Sequence, residues 1–128
     1  MVSIIRLEPD IIRDILFVVE SETDLDHYAA KDDFNELFEK YGASKVAYHA
    51  KQAYESGLIE GLKLLLGSGF IVNDLTPRGH QFLSDIRNDT NWSKTKSIAK
   101  TVGNFSLNAL SNIAEGVTTA AINKTLNQ

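Results

Sequence analysis

Between Lys45 and Gln52 the chain places Lys45, Tyr48, His49, Lys51 and Gln52 in the stretch SKVAYHAKQAYESGLIEG. On one exposed helix face these side chains would offer hydrogen-bond donors to phosphate oxygens and base edges, the chemistry by which a helix in the major groove holds and reads DNA. Lys63 and Arg78, further along, are placed to reach backbone phosphates. The electrostatic footprint is thin. The segment has two lysines and no arginine, and residues 44–91 carry five Lys/Arg against five Asp/Glu, whereas phosphate contact normally dominates affinity for nucleic acid.

Other chemistries find less support. The chain has no cysteine, so disulfides, thiolate nucleophiles and Cys-based zinc sites are excluded, in keeping with a reducing compartment. His27, His49 and His80 are the only histidines and none is paired at the i, i+4 spacing of helical metal ligands. The acidic stretch ETDLDHYAAKDD lacks the glycine and terminal glutamate of a calcium loop and reads as a solvated loop. No phosphate-cradling glycine loop, zinc-protease helix or nucleophile elbow occurs. The expectation is a non-enzymatic protein without metal or cofactor.

With 128 residues, 43% of them hydrophobic and 23% charged, the chain suits one compact domain with an appendage. Its formal net charge of -4 is unevenly spread: residues 1–43 carry four Lys/Arg against eleven Asp/Glu, and residues 92–128 carry four against one. An acidic front and a basic tail can attract each other within or between chains, more weakly as salt rises; the alternative is two solvated faces that never meet. Arg6, Glu8, Asp10, Arg13 and Asp14 interrupt the apolar residues of the N-terminus, so no secretory signal is read there and the cytoplasm is the expected compartment.

The elements that position these residues are set by periodicity. Ile11, Ile12, Ile15, Leu16, Val18 and Val19, after Pro9, predict a buried helix to about Ser21. Asp33 and Glu36 have capping-box spacing and open a short helix through Phe34, Leu37 and Phe38 that Gly42 ends. Ser44 is the expected N-cap of the next helix, with Val46, Ala50, Ala53 and Tyr54 inward and Lys45, His49 and Gln52 outward. Gly57 closes it, and two apolar runs flanking Gly67-Ser68-Gly69 predict a β-hairpin. That order of helices and hairpin is the order of a winged helix-turn-helix. Thr76-Pro77 restarts a helix with Phe82, Leu83 and Ile86 as its apolar side, and Trp92 is expected to anchor the C-terminal helix on a core. The predicted class is mainly α with a small β-hairpin: a winged-helix-like domain over residues 1–90 and a C-terminal helical extension over 91–128.

Several pieces also resemble a known family: Tyr48-His49, Gly57-Leu58-Ile59, Leu75-Thr76, Gly79-His80, Phe82-Leu83, and Asp85-Ile86-Arg87 with Asp89 and Trp92. From about residue 9 to its end the chain resembles the domain-of-unknown-function family 2513 of bacterial, prophage and phage proteins. The resemblance implies a winged-helix-like core and a mobile-element setting. It implies no activity.

From Asn91 to Leu126 no proline intervenes, and Ile98, Val102, Phe105, Ala109, Ile113, Val117 and Ala120 recur at three or four residues, predicting one long amphipathic helix. Such a stripe exceeds what a small core covers and marks a contact surface, with Val102, Phe105, Ala109, Ile113, Val117 and Ala120 as its oligomer or partner face. A homo-oligomer, with a two-fold dimer favoured, is expected; folding back as core is the alternative. A spanning helix is not expected, because Asn, Ser, Thr and Glu115 interrupt the stretch. The leading functional reading is a phage- or prophage-type regulator binding double-stranded DNA through the winged helix. The alternative is a module that engages a host or phage protein through its acidic N-terminal region and C-terminal helix, and the weakest is membrane-surface action of that helix.

Overall fold

The structure, a computed structural model, describes residues 6–128. The chain divides into two compact units, Met1–His80 and Gln81–Gln128. The division falls inside a helix, upstream of the boundary at residue 90 expected from sequence, and the first five residues of the expected N-terminal domain lie outside the described residues.

In the first unit, helix α1 (Pro9–Glu22) starts on Pro9 and buries Ile11, Ile12, Ile15, Leu16 and Val19, as their spacing predicts. A 3-10 turn (Lys31–Phe34) leads into α2 (Asn35–Tyr41), and α3 (Ala43–Glu55) comes next with only Gly42 between. Two capping expectations are corrected. Asp33 is not an N-cap; its carboxylate accepts from the Ala30 N–H at 2.8 Å, so it closes the 3-10 turn from within. Ser44 lies inside α3, whose first residue is Ala43, and the cap position is Gly42.

After α3 the chain forms a hairpin in two short antiparallel ladders. The outer ends pair β1 (Ile59–Glu60) with β4 (Asp74–Leu75), and the inner part pairs β2 (Lys63–Leu64) with β3 (Phe70–Ile71). A 3-10 turn at Leu66–Ser68 forms the tip, one residue earlier than expected, closed by the Leu65 N–H to the Gly69 carbonyl at 2.8 Å. A bridge between Ala29 and Val72 adds the segment between α1 and α2 as a third strand position. Helices α1 to α3, this three-way sheet and a protruding hairpin have the order of a winged helix. In the core α1 packs on α3 and β4, and the buried Phe34 and Phe70 set their rings 4.6 Å apart.

Helix α4 (Pro77–Ile86) begins on an N-cap: Thr76 Oγ1 accepts from the Gly79 N–H at 2.9 Å and donates to the Gly57 carbonyl. A Cβ on Gly79 would come within 1.9 Å of the Leu58 carbonyl oxygen, so only glycine allows the helix start this close to the α3–β1 corner.

The second unit holds the rest of α4, α5 (Asp89–Val102) and α6 (Leu107–Leu126). Phe82, Leu83 and Ile86 are buried, as is Trp92. The single helix expected from Asn91 to Leu126 is instead a helical hairpin, although its twenty-residue second arm remains a long C-terminal helix. Gly103 takes a left-handed conformation at φ 74°, the Asn104 N–H bonds back to the Ala99 carbonyl, and Ser106 caps α6 by accepting from the Ala109 N–H at 3.1 Å. This glycine stop and serine start outweigh the absence of proline. The inward stripe is therefore reset: Trp92, Thr95 and Ala99 on α5, and Leu107, Leu110, Ala114 and Val117 on α6.

Candidate functional site

On α3 the buried positions are Val46, His49, Ala50 and Ala53, the i, i+3, i+4, i+7 set of one helix face. His49 is therefore a correction to the expected reading face: it is 0% exposed. Its Nε2 accepts from the Glu8 N–H at 2.8 Å, and its Nδ1 lies 2.7 Å from the Lys45 carbonyl oxygen, to which it donates. This neutral tautomer ties the start of α1 to α3, and burial pushes the imidazole pKa down. Tyr54, expected inward, is exposed instead.

The remaining expected donors are partly occupied. Lys45 Nζ lies 2.7 Å from Glu8 Oε2, and Lys51 Nζ lies 3.7 Å from Glu55 Oε1. Tyr48 is half-buried with its ring edge against His49, at 5.5 Å between centroids, and Gln52 is half-buried. Lys63 on β2 and Arg78 in the first turn of α4 are exposed. Residues 1–80 carry eight Lys/Arg against fourteen Asp/Glu, a formal -6. A field of that sign opposes approach to phosphate.

The wing tip contributes a feature that charge-based reading passed over. Leu64, Leu65 and Leu66 are all exposed, Leu66 at 101%. A wing that tracks phosphate would carry cations there, and this one carries three consecutive leucines next to Lys63. The run LKLLL was legible in the sequence, but an apolar run in a hairpin reads as core until the partner strand is seen to end at Phe70.

A further exposed leucine, Leu25 at 102%, sits in the acidic loop between Asp24 and Asp26. The Asp24 and His27 backbones bond to each other, and Asp24 Oδ1 accepts from the Asp26 N–H at 2.7 Å and meets His27 Nδ1 at 2.8 Å. The His27 hydrogen bond holds the Asp24 carboxyl below its usual range. No group of three or more His, Cys, Asp or Glu among the described residues is arranged to hold a metal ion.

In the helical hairpin the expected partner face is split. Val117 is buried, Ala109 and Ile113 are half-buried, and Val102, Phe105 and Ala120 are exposed, because the period restarts after Gly103. Between α5 and α6 runs a groove of about 460 Å³ with Ile98, Ile113, Val117 and Ala120 in its lining and Lys94 and Lys124 as its charged residues. No helix of the described residues is long and apolar enough to cross a membrane.

The arrangement defines a winged-helix-like unit with a hydrophobic wing, accompanied by a helical hairpin. The chain belongs to the family described as hypothetical protein (DUF2513), whose model matches residues 6–105. It is 32% identical over 111 residues to an uncharacterized protein of Haemophilus influenzae (strain ATCC 51907 / DSM 11121 / KW20 / Rd), covering 84% of this chain and 91% of the relative. No solved structure matches the chain.

Proposed function

We propose that the chain is a non-enzymatic, cytoplasmic regulatory protein of phage or prophage type that acts by protein–protein contact, its winged helix serving as a scaffold for an apolar wing tip. The observation that carries this reading is the exposure of Leu64, Leu65 and Leu66 on the hairpin. Contiguous exposed apolar area is a mark of interaction surfaces. The helical hairpin offers a second such surface in its apolar groove.

The test is affinity purification of the tagged chain from its native cell with cross-linking, alongside Leu65→Glu with Leu66→Glu. A discrete partner retained by the parent chain and lost by the variant is the expected result; an identical set of captured proteins from both would sink the reading. Double-stranded DNA binding is the second reading, favoured by the winged-helix order of elements and the Ala29–Val72 bridge. It requires binding to duplex DNA that falls steeply with salt and is lost in Lys45→Glu with Lys51→Glu.

A further inference from the structure

The α5–α6 groove and the 24–27 turn match in apolar character and are opposite in charge. The groove is apolar along Ile98, Ile113, Val117 and Ala120, its charged lining residues are the cations Lys94 and Lys124, and no carboxylate lines it. The turn presents the opposite pattern, a fully exposed Leu25 between the carboxylates of Asp24 and Asp26. Backbone and side-chain hydrogen bonds hold the turn in shape, so little ordering is needed when it docks.

We propose that the α5–α6 groove is the docking site for the Leu25 turn of a second copy of this chain. Leu25 enters between the two helices while Asp24 and Asp26 face Lys94 and Lys124. Each copy owns one turn and one groove, so a two-fold pair makes the contact twice, and a geometry that does not close makes a chain of copies. The excess of acid in residues 1–80 and of base in residues 81–128, five Lys/Arg against three Asp/Glu, favours this pairing of unlike surfaces over groove against groove. The proposal goes beyond the interaction reading carried by the wing tip and stands on the groove and the turn alone.

The absence of cysteine permits a clean test. Full-length Leu25→Cys chain is mixed with full-length Ala120→Cys chain under mild oxidation, with Asn112→Cys, on α6 outside the groove lining, as the control. The expected product is a mixed disulfide dimer with the Ala120 variant, suppressed in high salt and weak with the control. In sedimentation, Leu25→Ser and Lys94→Glu with Lys124→Glu are each expected to raise the self-association Kd about tenfold or more. Asp26→Lys chain added to the doubly reversed chain recovers part of the association. Equal cross-linking at positions 112 and 120, association unaffected by these changes, or a strictly monomeric chain would overturn the docking. These outcomes are separable from failure of the interaction reading, which is decided by the wing-tip variant and its captured partner.

Discussion

His49 holds two backbone groups at once: it accepts from the Glu8 N–H and donates to the Lys45 carbonyl. The bond from the Glu8 N–H requires an unprotonated Nε2 and so the neutral ring, whereas the Nδ1–H donates to Lys45 in either state. Burial lowers the folded-state pKa below the unfolded value of about 6.5, so the native state releases a proton that the unfolded chain keeps. The stabilisation is therefore complete above the unfolded pKa and is lost as pH falls from there through the folded pKa. Urea midpoints measured from pH 8 down to pH 5 should fall for the parent chain more than for His49→Leu. At pH 8 that variant should be less stable by about 1 kcal/mol, the penalty of leaving the part-buried Glu8 N–H without its partner. Gly79 makes a second prediction at this scale. Because a Cβ there meets the Leu58 carbonyl oxygen at 1.9 Å, Gly79→Ala should destabilise by about 2 kcal/mol or more despite alanine's better helix propensity. A rise in Tm would contradict the close approach.

At the scale of elements, the turn between α5 and α6 rests on two small devices. Gly103 is left-handed with open space around it, so Gly103→Ala carries only the backbone penalty, about 1 kcal/mol. Ser106→Ala removes the cap on the Ala109 N–H and should lower stability by a similar ~1 kcal/mol. Thermal unfolding followed by circular dichroism reads both, and neither variant should fuse the helices, since one continuous helix would forfeit the packing of α5 on α6. The same turn shows where sequence reasoning reaches its limit. The buried face of α1 was legible because its isoleucines, leucine and valine repeat without competition. The break at Gly103 carried its own signal in V-G-N-F-S, a glycine with a capping serine three residues later, but a continuous apolar repeat masked it. On α3 the period itself marks His49 as inward, between Val46 and Ala50; its polar type drew it outward. The Lys45–Glu8 pair could not be read at all, because it joins residues on separate elements and depends on how they pack.

For the whole molecule the decisive quantity is the distribution of charge over the winged unit. Glu8 and Glu55 lie beside the two lysines that a winged helix would turn to DNA, and the formal -6 of residues 1–80 adds a repulsive background. Exposed ion pairs of this kind are individually weak, so their importance lies in what they remove from the reading face: two cations that would otherwise release counterions from phosphate. Fluorescence anisotropy with a labelled duplex at ~50 mM salt should show no saturable binding by the parent chain, a salt level at which non-specific DNA binders normally associate. Glu8→Gln with Glu55→Gln keeps the Glu8 backbone bond to His49 while freeing both lysines. Any binding it gains should show a slope of log K against log salt no steeper than about -2, the limit for two neutralised phosphates. A steeper slope, or tight binding by the parent chain, would require cations from beyond α3 and would return the winged unit to a role in nucleic-acid recognition.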